Sequence, residues 1–109
     1  MNKKQFNFIL QKGEGQFIEF KENLNKSFAK EIVAFANASG GKIFLGVNDN
    51  GGKKGINITN KIKSKIQDIA NQCDPSIIVN LNVFDNILIV DVKEGQNKPY
   101  SCKEGFYMR

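Results

Sequence analysis

A chain of 109 residues suits one domain and leaves no room for two. Its 40% hydrophobic fraction, with nine Phe, can bury a real core, and no apolar run approaches the roughly 20 residues that cross a bilayer. His is absent, and Cys73 and Cys102 stand far apart with no Cys-x-x-Cys pair, which excludes zinc fingers, His-metal sites, Ser-His-Asp triads and His-based ribonuclease chemistry. The N-terminus is basic but lacks an apolar signal core, so the chain is expected to be cytoplasmic, with reduced thiols and Cys73 as a small core residue.

Phe6 to Leu10 predicts a short helical turn packed on the core, and Gly13 and Gly15 place Glu14 in a loop. Phe17 to Lys21 reads as a strand with Ile18 and Phe20 on one face and Glu19 and Lys21 on the other. Leu24, Phe28, Ala29, Ile32, Phe35 and Ala36 recur at helical spacing. Asn23, Asn25 or Ser27 is the expected cap of that helix, and Gly40-Gly41 its stop. Lys42 to Val47 reads as a buried strand, Asn48 to Gly52 as a turn, and Lys53 to Ile56 as the start of a short return strand.

A second helix is expected over 59–72, capped by Thr59 or Asn60 and packing through Ile62, Ile66, Ile69 and Cys73, with Asp74-Pro75 ending it. Ile77, Val79, Leu81 and Val83 alternate with polar residues, Asp85-Asn86 forms a tight hairpin, and Ile87 to Val92 returns as an apolar strand. Gly95 to Pro99 is a loop, and Tyr100 to Arg109 closes the chain as a hairpin around Lys103-Glu104-Gly105. This order predicts an α+β fold: a two-layer α/β sandwich with two main helices on a mixed, mostly antiparallel sheet.

The formal net charge is +5, and Arg109 is the sole arginine, so lysine carries nearly all the positive charge. Lysine is a point charge suited to phosphate, whereas bidentate reading of guanine is mostly an arginine task. The expected partner is therefore DNA or RNA, held by its backbone with little base specificity. Lys53 and Lys54 follow the turn, and Lys61 and Lys65 share a face of the second helix, with Lys63 to the side. With Lys21 and Lys42 they are the candidate phosphate-binding set. Most Phe residues fall at core positions, which leaves no obvious platform for stacking bases. An apolar edge strand also makes a homodimer a third expectation.

Glu14 and Glu19-Phe20-Lys21, then Ala34-Phe35-Ala36-Asn37-Ala38-Ser39-Gly40-Gly41, then Ile43 to Gly51, together resemble the Schlafen Alba-type domain. Lys98-Pro99-Tyr100 and Phe106 to Arg109 resemble the end of that domain. The resemblance implies a DNA-binding module of a transcriptional regulator, and the chain reads as an N-terminal fragment of a longer regulator. It also implies an alternative. In vertebrate relatives three carboxylates and a divalent metal cleave RNA, and those positions fall on Glu14, Glu19 and Asp49.

Such carboxylates would take Mg²⁺ or Mn²⁺ and activate water against a phosphate. Glu14 and Glu19 would face oppositely in one regular strand, but glycine on each side of Glu14 lets its loop turn that carboxylate toward Glu19. Asn37 is expected to bond a neighbouring loop. Gly40-Gly41-Lys42 ends a helix instead of preceding one, which excludes a phosphate-binding loop of the ATPase kind.

Overall fold

The computed structural model describes residues 1–102 and the backbone of Gly105 and Phe106. Lys103, Glu104, Tyr107, Met108 and Arg109, which the expected closing hairpin includes, lie outside the described residues.

The chain opens with α1 (Lys3–Lys12), a full helix where the sequence suggested a single turn. Its start is fixed by a reciprocal cap: Gln5 donates its backbone N–H to Asn2 Oδ1 at 2.8 Å, and Asn2 donates its own to Gln5 Oε1 at 3.0 Å. Then come β1 (Ile18–Lys21), α2 (Phe28–Asn37), β2 (Gly41–Leu45) and α3 (Asn60–Asn71). The strands β3 (Val79–Phe84), β4 (Ile87–Val92), β5 (Ser101–Cys102) and β6 (Gly105–Phe106) complete the order.

β1 to β4 form one sheet in the order β1-β2-β4-β3. β1 runs parallel to β2, while β4 is antiparallel to both β2 and β3, so the sheet is mixed and mostly antiparallel as expected. The β3–β4 turn is the two-residue Asp85-Asn86 connection, with Asp85 at φ 53°. β5 and β6 pair separately as a short antiparallel ladder.

Strand alternation divides the apolar residues between two faces. Ile43, Leu45, Leu88, Val90 and Val92 point toward α2 and α3 and join Phe28, Ile32, Phe35, Ile66 and Ala70 in the main core. Phe20, Phe44, Ile87 and Ile89 point the other way, where Phe6 of α1 covers them. The α+β sandwich thus holds, with α1 added as a partial lid on the second face of the sheet. Ring geometry supports that small core: Phe6 lies 5.9 Å from Phe44 and 4.9 Å from Phe84, and Phe20 meets Phe44 edge-on at 6.1 Å.

Two details differ from expectation. α2 begins at Phe28 with Ser27, one of the expected candidates, at its N-cap position, so Leu24 lies before the helix; Asn25 Oδ1 accepts from both the N–H and the hydroxyl of Ser27. Lys53 to Ile56 makes no strand: a single bridge joins Val47 to Lys53, and Gly55 at φ 80° turns the chain away toward Asn86.

Gly40 does end α2's run as anticipated. It sits at φ 79°, and its N–H reaches the Phe35 carbonyl at 2.9 Å. A Cβ there would stand 2.7 Å from the Val92 carbonyl oxygen and 3.0 Å from the Glu94 nitrogen, both backbone atoms that cannot swing aside. Gly40→Ala is therefore expected to cost about 2 kcal/mol or more, as left-handed strain adds to a backbone clash. Urea denaturation measures it, and an unchanged midpoint would show that the β4 end yields.

Candidate nucleic-acid interface

Glu14 is held by the free edge of β1. In the parallel β1–β2 pair, Phe17 and Lys21 carbonyls accept from Lys42 and Gly46, so the N–H of Phe20 faces outward. Glu14 Oε2 takes that N–H at 2.9 Å, and Gly15 donates its N–H to the Ile18 carbonyl at 3.0 Å. The glycine-flanked loop therefore folds back along the edge and closes it. Gly13, at φ 85°, makes the reversal after α1.

This fold-back also brings Glu14 onto Glu19. Their carboxyl groups hydrogen-bond, and the Glu14 pKa rises to about 7. That hydrogen bond is the main cause, followed by partial burial and then the negative charges of Glu19 and Asp49, while the Phe20 N–H pulls the other way. So the two glutamates meet, and Asp49 is near enough to be felt electrostatically. Among the described residues no three Asp, Glu, Cys or His side chains gather into a set that could hold a metal ion. As these side chains stand, they do not fit Mg²⁺ or Mn²⁺.

The raised pKa has a consequence for stability. A carboxyl that binds its proton more tightly when folded contributes fully below its unfolded value of 4.5, and that contribution is lost as pH climbs through about 7. Glu14→Gln keeps an acceptor for Phe20 and removes the titration. The fall in melting temperature between about pH 5 and pH 8 should become shallower in this variant. Identical slopes in wild type and variant would rule out the shared proton.

The six candidate lysines separate into two groups. Lys21, Lys42 and Lys54 are engaged: Lys21 Nζ donates to Ser27 Oγ at 2.6 Å, Lys42 pairs with Asp91 at 3.3 Å, and Lys54 pairs with Glu22 at 2.9 Å. Lys53, Lys61 and Lys65 are exposed and make no ion pair among the described residues. Lys53 Nζ lies over the face of the Phe6 ring, 5.8 Å from its centre.

Two of the candidate lysines lie on different faces of the sheet. Lys21 shares the α2 face of the sheet with Leu45, whereas Lys42 shares the α1 face with Ile18, because paired residues of neighbouring strands point the same way.

α3 carries Lys61, Lys63 and Lys65, none of them in an ion pair among the described residues. Thr59 Oγ1 caps it by accepting from the Ile62 N–H at 3.2 Å, and no acidic residue occupies its first turn. Lys61 and Lys63 lie in its first turn, where the helix dipole already presents positive potential, and Lys65 follows. Near its other end, Ala70 accepts from the Ile77 N–H, and Gln67 reaches the Val79 carbonyl at the start of β3. The first turn of α3 therefore points toward the β3–β4 turn, the end of the sheet where Lys53 also emerges after β2.

Two exposed rings on the surface escaped the sequence reading. Phe8 on α1 is 64% exposed and Phe17 is 51% exposed. Phe8 helps line a groove of about 800 Å³ together with Lys4, Lys42, Val83, Phe84 and Ile89. The signal was present, since Phe6 and Phe8 cannot both face the core from one helix.

The chain belongs to the Schlafen AlbA_2 family: the family model, described as "Schlafen, AlbA_2", matches residues 14–109. No curated protein matches the sequence. A solved structure that resembles it is that of the DIP2311 protein from Corynebacterium diphtheriae. The TM-score is 0.61 at 17% identity, and the match covers 83% of this chain and 20% of that one. At that identity the likeness establishes the fold. The chain spans about a fifth of that protein's length.

Proposed function

We propose that this domain binds DNA or RNA through the phosphate backbone, within a transcriptional regulator, and that Lys53, Lys61 and Lys65 are its principal contacts. One observation carries this reading: Lys61 and Lys63 stand in the first turn of α3 and Lys65 follows on the next, with no acid in the first turn to offset them. Each of the two first-turn charges disfavours the helix by a few tenths of a kcal/mol, and an incoming phosphate relieves that cost. Membership of the AlbA_2 family and the +5 charge point the same way. With no free arginine among the candidates, discrimination between sequences is weak.

The test compares charge-reversal variants in binding to a fluorescent duplex and to a single-stranded RNA. Lys61→Glu with Lys65→Glu should weaken binding at least tenfold. Lys42→Glu, whose native side chain is tied to Asp91, should have the smaller effect. The reading fails if the α3 pair binds as wild type does.

A second reading, RNA cleavage at Glu14, Glu19 and Asp49 with Mg²⁺ or Mn²⁺, is favoured by the hydrogen bond between the two glutamates. It requires a rearrangement that frees Glu14 from Phe20 and draws in Asp49. Its signature is cleavage with Mn²⁺ that disappears in Glu19→Ala while binding persists. Self-association would use the outer edge of β3, where Val83 is exposed, and sedimentation at two concentrations tests it.

A further inference from the structure

Cys73 and Cys102 stand 29 positions apart in sequence, yet a backbone bridge between their neighbours Asp74 and Ser101 brings the two segments together. Asp74 donates its N–H to the Ser101 carbonyl at 3.0 Å, and Ser101 returns its own N–H to the Asp74 carbonyl at 2.9 Å. That double exchange is the mark of a hydrogen-bonded antiparallel pair. Continued by one residue as a regular antiparallel ladder, such a pair sets the residue before the first opposite the residue after the second, at a Cα separation of about 4.5 Å. Here those residues are Cys73 and Cys102.

A disulfide needs Cα atoms about 4.4–6.8 Å apart, so this register is compatible with one. Cys73 is buried in the main core, and Cys102 packs against the same cluster while keeping part of its surface in solvent. Their proximity is also felt in titration. Burial, and then the charge of Cys102, push the Cys73 thiol up to about 11. Cys73 Sγ meanwhile rests as a donor on the Ile69 carbonyl at 3.3 Å.

We propose that Cys73 and Cys102 are a built site for a reversible intramolecular disulfide, formed by exchange with a small-molecule disulfide of the glutathione type. Cys102, the solvent-reachable sulfur, attacks first as thiolate, having given its proton to solvent. A bond forms from Cys102 Sγ to one sulfur of the oxidant, and the other sulfur leaves as thiolate. Cys73 then loses its proton, and its sulfur attacks Cys102 Sγ, expelling the second small thiol.

The two protein thiols are oxidised, one small disulfide is reduced to two small thiols, and each leaving thiolate takes up a proton. The high Cys73 pKa makes the second step the slow one and accelerates it with rising pH. The link ties the C-terminal end of α3 to β5, immediately after the Tyr100 backbone that Asn37 grips. The proposal does not depend on the nucleic-acid reading.

The full chain is incubated with oxidised glutathione, without denaturant, and its thiols are counted. The expected result is a fall from two free thiols to none, with a mass loss of two hydrogens, a Cys73–Cys102 linked peptide and recovery by dithiothreitol. The melting temperature of the oxidised form should rise. Cys73→Ser should stop at a glutathione adduct on Cys102, and Cys102→Ser should leave Cys73 unmodified. Disulfides only between chains, a stable adduct in the wild-type chain, or two surviving thiols would each overturn the proposal. Alkylation of both thiols after unfolding in urea confirms that they were chemically competent.

Discussion

Asn37→Ala is expected to destabilise the domain by about 3 kcal/mol, from the loss of two hydrogen bonds at a buried site. Asn37 is 5% exposed. Its Nδ2 donates to the Tyr100 carbonyl at 3.0 Å, and its Oδ1 accepts from the Tyr100 N–H at 2.6 Å. One amide therefore satisfies both polar groups of a residue 63 positions away, itself buried. Alanine leaves the Tyr100 N–H and carbonyl without partners, and each orphaned group costs about 1–3 kcal/mol.

The clasp also anchors the loop before β5. Asn97 donates its N–H to the Tyr100 hydroxyl at 3.1 Å, and a Cβ on Gly95 would run into the Tyr100 ring. For a domain of this size, the melting temperature should fall by roughly 12–24 °C. Asn37→Asp preserves only the acceptor and should fall between the two. A change of less than about 1 kcal/mol in Asn37→Ala would mean that water replaces the clasp.

Phe44→Ala is expected to cost about 4 kcal/mol, near the upper range for a buried aromatic. Phe44 is fully buried and central to the smaller core, between the rings of Phe6 and Phe20. α1 covers this face chiefly through Phe6, and Ile9 and Leu10 only partly pack against it. The helix therefore has little else to hold it, so α1 should loosen along with the loss of stability. Phe44→Leu, which refills most of the volume, should cost under about 2 kcal/mol. Chemical denaturation gives the stability, and amide exchange in α1 reads its attachment. Protection of α1 that survives in Phe44→Ala would contradict this packing.

Much of the fold follows from local chemistry that the sequence displays. The α2 stripe and its glycine stop, the Thr59 cap of α3 and the Asp85-Asn86 turn depend on residues close together in the chain, and each lies where expected. The glycines flanking Glu14 showed that its loop is free of strand geometry, but the hydrogen bond of Glu14 with Glu19 depends on how that loop folds along the β1 edge and was not legible.

α1 was harder to see. Few apolar residues mark its buried side, and its start depends on the Asn2–Gln5 cap, which looks polar and unremarkable in sequence. The separation of Lys21 from Lys42 was not legible at all. Their faces depend on the register of β1 against β2, which is set by contacts across the sheet. The partners that occupy Lys42 and Lys54 are likewise distant in sequence, at Asp91 and Glu22.

The most direct test of the central reading is the affinity of the wild-type domain for a short DNA duplex and for RNA across a series of salt concentrations. With three principal lysine contacts, the logarithm of the duplex binding constant should fall linearly with the logarithm of salt, with a slope of about −3. Neutralising Lys61 and Lys65 with glutamine should make that slope shallower by about 2. No association with either nucleic acid at low salt, or an affinity indifferent to salt, would contradict phosphate binding by this surface.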